Sequence, residues 1–430
     1  MKVQKTTFLS PFGGLNYVLN ELDKHGIGDI LDSYLPNLAQ QSKYSWRDII
    51  FSYWSVFFCG GDCAEDLDGN LKNTLKDLPH LSLPSPDRVL DRLKELSIPA
   101  VIFNSPRSKA YHEFAVNEHL NQLNLTISKQ LFKGLPLNAT LDYDNTICYT
   151  EKKDATRTYM FEKGYQPGVA FIGSQVVYVE NRTGNSSAQV GQDETLLRMF
   201  SLLKQHGISI KKFRADSATY SLKTLRVVDR FAEHYYIRVR MSHVLENAIA
   251  SISNWEDVSD TIEEKLRGET IFIPFERAIR DVKQKNLKTY RIIVTKTKRK
   301  DGQVNFFTGE AYLYSAIITN DYEMTADQIV QFYNQRATAE REFEVLKYDF
   351  GWNKLPFSNL AQNNVYLLIT AMCRNIYHYI IGHFSKIVKG LKPEYRLKKF
   401  IFRFICVPAK WIKHARQWHL RLYGNIAFKT

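Results

Sequence analysis

Leu137-Asn138-Ala139-Thr140-Leu141-Asp142-Tyr143-Asp144-Asn145-Thr146-Ile147-Cys148-Tyr149 is the stretch on which the fold turns. Apolar and polar residues alternate along it, the period of a strand with one face buried, so Asp142 and Asp144 share a face. Gly164-Tyr165-Gln166-Pro167 then precedes a second apolar run, Val169 to Ile172, and Gln175 to Val179 makes a third strand. The spacing predicts consecutive antiparallel strands joined by short turns.

Downstream the period changes. Glu194 to Gln205 places Leu196, Leu197, Phe200 and Leu203 on one helical face. Ile208 to Phe213 predicts a strand ending at Arg214-Ala215-Asp216, Leu222 to Glu233 a helix, and Tyr235 to Val239 another strand. Three strands, helix, strand, helix, strand is the order of an RNase H-like mixed sheet, an α/β fold. Residues 242–320 interrupt it with strand-like runs at Thr270 to Phe275, Thr289 to Thr297 and Tyr312 to Thr319, a β-rich insertion. A helix resumes at Thr325, boxed by Gln328, and is predicted to run to about Asp349.

Upstream, residues 1–110 read as a helical domain that could bind DNA. Ser45 with Asp48 caps the run Ile49 to Phe58, and Ser85-Pro86 opens a helix to about Leu96. Residues 137–241 and 321–380 are the two parts of the core, and 386–430 a basic helical region. Charge is uneven: residues 1–110 hold 12 Lys+Arg and 13 Asp+Glu, whereas residues 386–430 hold 12 cations against Glu394 alone, interleaved with aromatics. Of the net +13 over 430 residues, +11 therefore falls in the last 45, the footprint of a nucleic-acid binder or of a basic helix on an acidic surface.

Other classes are excluded. Five cysteines describe no disulfide framework, and Cys59 and Cys63 lack a second ligand pair. Val365 to Ile381 is interrupted by Arg374, Asn375 and His378, so no membrane span is expected. Pro11, Gly13 and Gly14 break any early apolar run, so no signal peptide is expected either and the chain reads as cytoplasmic.

Phosphoryl transfer by two metals needs carboxylates converging on cations about 4 Å apart. Asp144, Asp216 at a strand end and mid-helix Glu340 are candidates, although singly each reads as a turn residue or a solvated charge. In one continuous helix Tyr333, Arg336, Glu340 and Lys347 point to about 0°, −60°, −20° and −40°, a single stripe. That stripe fits a salt-bridge ladder as well as a catalytic face.

Tyr333-x2-Arg336-x3-Glu340-x6-Lys347 resembles the Y-R-E-K signature of bacterial insertion-sequence DDE transposases, a cut-and-paste group with a β-rich insertion. Asp144-Asn145-Thr146 looks like the first-aspartate motif and Arg214-Ala215-Asp216-Ser217 like the second; Gly164 to Pro167 and Arg182 to Asn185 resemble the segments between. The resemblance covers about residues 137–380. It implies a triad of Asp144, Asp216 and Glu340 holding two Mg²⁺, with Mn²⁺ able to substitute, while Asp142 competes as first acid. It implies DNA contacts from Tyr333, Arg336, Lys347 and Arg214, and a flipped base received by Trp255, unless Trp255 is a core residue. The implied activity is cleavage at terminal inverted repeats and attack of the freed 3′-hydroxyl on target DNA, by a homodimer assembled on DNA in the bacterial nucleoid. The alternatives are another RNase H-like nuclease, or a transposase-derived DNA-binding protein without catalysis.

Overall fold

A computed structural model describes residues 9–69, 71–76, 78–79, 81–104, 111–134, 138–260, 263–275, 288–304 and 311–424. The strands in chain order are β1 (Val101–Asn104), β2 (Tyr111–Ala115), β3 (Asn138–Asn145), β4 (Cys148–Tyr149), β5 (Thr156–Arg157), β6 (Lys163–Tyr165), β7 (Gly168–Ile172) and β8 (Gln175–Arg182). They continue with β9 (Ser209–Ala215), β10 (Ala232–Arg238), β11 (Glu256–Asp257), β12 (Lys265–Phe272), β13 (Tyr290–Lys298), β14 (Tyr312–Thr319), β15 (Ala409–His414) and β16 (Gln417–Leu422).

Eleven of these form one mixed sheet in the order β1-β2-β8-β7-β3-β9-β10-β14-β13-β12-β11. At its centre β8, β7 and β3 are antiparallel, and β9 and β10 run parallel to β3. The inserted strands do not build a separate sheet: β14 pairs antiparallel with β10 and carries the same sheet outward.

Alternation decides what each face holds. Leu141 and Tyr143 of β3, and Phe213 and Ala215 of β9, enter a core beneath helices Gln192–Gln205 and Leu222–Phe231. Asp142, Asp144 and Arg214 therefore face the other side, where helices Ala326–Asn334, Thr338–Asp349 and Leu360–Ile387 lie. On that side Val169 and Phe171 of β7 join the core of the N-terminal helices.

The expected caps are present: Ser45 with Asp48, Ser85 ahead of Pro86, and Thr325 with Gln328. Leu360–Ile387 contains the apolar Val365 to Ile381 run, and Asn375 inserts into β8, accepting from Val176 N at 2.9 Å and donating to Val176 O at 2.8 Å. Asn121 does the same for Val179, so helix amides satisfy backbone groups of β8 that would otherwise be buried unpaired. No helix among the described residues is long and apolar enough to cross a membrane.

Two expectations are corrected. The helix from Thr325 is not continuous: it stops at Asn334, passes through a 3₁₀ turn at Gln335–Ala337 and restarts at Thr338. Three residues at about 120° rather than 100° change the phase of the second helix by roughly 60°, so the angles of one continuous helix do not apply. Among the described residues the C-terminal region is helical only at the end of Leu360–Ile387, at Leu397–Phe400 and in an adjoining π turn; residues 409–422 form the β15–β16 hairpin. Its period-2 alternation favours strands, and Ala415 and Arg416 take φ of 48° and 64°, the handedness that a two-residue hairpin turn demands. One face of the hairpin docks on the N-terminal helices, Trp411 donating to Asn16 Oδ1 at 2.9 Å. Lys429 lies outside the described residues.

Candidate active site

The two ends of β3 and β9 bring the acids together. Asp142 is the register partner of Arg214, and Tyr143 that of Ala215. Asp144, the next residue of β3, and Asp216, the first residue beyond β9, follow directly on that pair, and the charge of Asp216 acts on Asp144. Asp216 is half-buried and caps the turn that follows it, accepting from Ala218 N at 3.0 Å. Glu340 is exposed in the first turn of Thr338–Asp349.

Asp142 and Asp144 differ sharply. Asp142 is buried and held by both prongs of Arg214, Nε–Oδ1 and Nη2–Oδ2 each 2.7 Å. Arg214 also donates to Phe332 O at 2.7 Å and stacks on the Phe332 ring. Asp144 meets Arg336 Nη2 at 2.6 Å and accepts from Asn145 N at 2.9 Å. Burial pushes the Asp144 carboxyl up to about 6; Arg336 pulls it down, and the neighbouring charges of Asp216 and Glu340 push it up again. Those two contributions show that Asp144 feels both other acids. Arg336 Nε is buried without a hydrogen-bond partner.

The remaining expected residues fall unevenly. Arg214, expected on DNA, is instead a buried brace between β3 and β9, because its guanidinium is enclosed by Asp142 and Phe332. Tyr333, also expected on DNA, is buried and donates to Ala215 O at 3.4 Å, holding the strand end that precedes Asp216. Arg336 is turned inward to Asp144, with only 12% of its side chain exposed. Lys347 is partly buried and close enough to Cys148 to lower its thiol pKa, which burial first raises. Trp255 packs half-buried on Gly268 of β12 with Lys296 over its ring at 4.3 Å. That places it four strands from β9, about 19 Å away.

Among the described residues, the side chains gathered closely enough to ligate a metal are Asp62, Cys63 and Asp66, within 4.8 Å, rather than the three acids. Burial and Asp66 push the Cys63 thiol up to about 11, and Asp62 is paired with Lys354. With the thiol protonated and Asp62 paired, that corner is a poor cation site. The Asp142–Arg214 pair was missed at the sequence level; its signal was an Arg two residues before the second acid, in register with an Asp two residues before the first.

A family model described as transposase DDE domain group 1 matches residues 13–430. No curated protein matches the chain by sequence. A cryo-EM structure of the piggyBac transposase synaptic complex with hairpin DNA is similar at a TM-score of 0.47 and 12% identity, over 91% of this chain and 79% of that one. At that level the likeness says nothing of this chain's residues. With acids at the ends of adjacent parallel strands, and a family match over nearly its whole length, the chain belongs to the transposase DDE domain family.

Proposed function

We propose that this protein binds the terminal inverted repeats of an insertion sequence, cleaves DNA at them and joins the freed end to target DNA, with Asp144, Asp216 and Glu340 as the catalytic carboxylates. The observation that carries the reading is the juxtaposition of Asp144 and Asp216 across β3 and β9, with Glu340 electrostatically coupled to Asp144. The strand order and directions support an RNase H-like core. Asp142 gives way to Asp144 as first acid, since both its oxygens are committed to Arg214.

The donor set fits a divalent cation. Three carboxylates, with Asp144 feeling the charges of the other two, are a hard, oxygen-only set suited to Mg²⁺ or Mn²⁺. Such a cation, when bound, supplies Lewis-acid stabilisation of charge on the phosphoryl oxygens. The chain's own groups do the rest. The Asp142–Arg214 brace and the Tyr333 bond to Ala215 O fix the two strand ends from which Asp144 and Asp216 extend. Arg336 holds Asp144 in the free chain; a cation held by Asp144 would free that guanidinium, whose Nε is unpartnered, for a DNA phosphate. Lys347 and the hairpin cations Lys410, Lys413, Arg416 and Arg421 hold the backbone. Concerted cutting of two ends calls for a homodimer on DNA.

The test mixes the protein with a duplex carrying the element's own end, a supercoiled target plasmid and Mg²⁺ or Mn²⁺, then sequences the products. Joints between end and target, bordered by a short duplication, are expected. Nicks without joints would make it an RNase H-like nuclease, and binding without nicks a DNA-binding relic.

A further inference from the structure

Across the parallel strands β3, β9 and β10, Tyr143, Ala215 and Ile237 are register partners. The residues that follow them are Asp144 on β3, Asp216 just beyond β9, and Arg238 at the end of β10. Arg238 is in turn the partner of Ile317, and Ile317 of Ile293. At this level the sheet therefore presents two acids, one guanidinium and then two isoleucines, which are buried in a cluster with Ile329 and Tyr333 of helix Ala326–Asn334. Arg238 stands where the apolar cover ends and the acids begin.

Strand alternation sets its direction. Ile237 and Val239 enter the core beneath helices Gln192–Gln205 and Leu222–Phe231, so Tyr236 and Arg238 face the side of Asp142, Asp144 and Arg214. The inserted strand β14 holds the position, with Val239 N donating to Ala316 O at 2.8 Å just past the end of β10. The buried Tyr333 hydroxyl feels the same set of charges. Burial pushes it up, Arg336 and then Arg238 pull it down, and Asp216 and Asp144 push it up again.

Other arginines on that face are committed: Arg214 to Asp142, Arg336 to Asp144 and Arg291 to Glu269. Arg238 is exposed and forms no ion pair or hydrogen bond among the described residues. Three carboxylates repel a polyanion, and Arg336 is spent on one of them in the free chain. A free guanidinium on the Asp216 side offsets that repulsion, and its planar fork suits the oxygens of a phosphate. We infer that Arg238 is a phosphate-binding residue of the site, taking from the Asp216 side a DNA backbone phosphate next to the one under attack. This rests on the transposase reading and adds to it a contact that the Tyr333 to Lys347 signature does not contain. The phosphate belongs either to the element's end or to the target, and the test separates the two.

That test follows single-turnover cutting of the element's end, and joining of a pre-cut end to a target duplex, by wild type and Arg238→Gln in Mg²⁺. Each DNA is also made as a series in which one phosphate at a time near the reacting position is an uncharged methylphosphonate. Arg238 is exposed, so the variant is expected to keep the wild-type urea midpoint. On unmodified DNA it is expected to lose about tenfold in at least one reaction. One methylphosphonate beside the reacting phosphate is expected to cost wild type a similar factor and to cost the variant nothing further. A position in the end makes the end the partner, and a position in the target makes it the target. A variant within about twofold of wild type in both reactions, or losses that multiply at every position, overturns the contact and leaves the transposase reading standing. A wild type that neither cuts nor joins overturns the transposase reading first, and the role of Arg238 with it.

Discussion

Two carboxylate–guanidinium pairs stand two residues apart on one strand, and they are built to opposite ends. Asp142 and Arg214 meet through two short bonds, both nearly sealed from water, with the third guanidinium arm on a backbone carbonyl. Asp144 and Arg336 meet at Nη2, leave Nε unpartnered and stand beside two further acids. The first pair has nowhere to go and ties β3 to β9; the second is held only until something better arrives. The same two residue types thus give a brace and a latch, according to how completely the hydrogen bonds are satisfied.

Breaking the brace should have the largest effect. Asp142→Ala leaves Arg214 buried without its partner and is expected to cost about 3–5 kcal/mol, read as a lower urea midpoint with an unchanged m-value. The matching change at the latch should behave differently. Because the folded chain holds the ionised Asp144 carboxyl less well than water does, Asp144→Asn is expected to leave stability at pH 7.5 within about 1 kcal/mol of wild type, or to raise it. If both variants lose the same stability, the distinction between brace and latch is lost.

A smaller effect is expected far from the sheet. Replacing Lys410, Arg416 and Arg421 by Gln should lower the slope of log affinity against log salt by about one per cation, alike for every DNA sequence. A loss confined to the element's end would instead make the hairpin a reader of bases. An effect confined to acid pH concerns His378, which burial and then Arg374 hold down at about 4, against the usual 6.5. The unfolded chain binds the extra proton between those values, so stability is whole above pH 6.5 and declines toward pH 4. His378→Phe, packed beside Phe132, is expected to flatten that decline in thermal melts across the window.

The sheet was largely legible in the sequence because β3 alternates cleanly, β7 and β8 are apolar runs bounded by turn residues, and the helices carry ordinary caps, as at Thr325 and Gln328. Strand alternation put Asp142 and Asp144 on one face but could not separate them, since the difference lies in an arginine 72 residues away that only the β3–β9 register brings across. The break at Gln335–Ala337 was invisible because no Gly or Pro marks it. The β15–β16 hairpin was hidden for a related reason: its turn, Ala415-Arg416, has neither Asn nor Gly to announce the positive φ it adopts. Trp255 could be singled out by type alone, while its packing on Gly268 under Lys296 depends on neighbours its own segment does not show.

The most direct measurement of the central claim is cleavage of a linear duplex bearing the element's own end, in Mg²⁺, by wild type and by Glu340→Gln. The substitution keeps size and hydrogen bonding and removes the charge. Glu340 is exposed, so the fold should be untouched. The account predicts that wild type nicks at the end while the variant binds equally well and does not cut. Equal cutting by both would contradict it, leaving Glu340 a solvated charge beside Asp144 and Asp216 rather than the third carboxylate of the site.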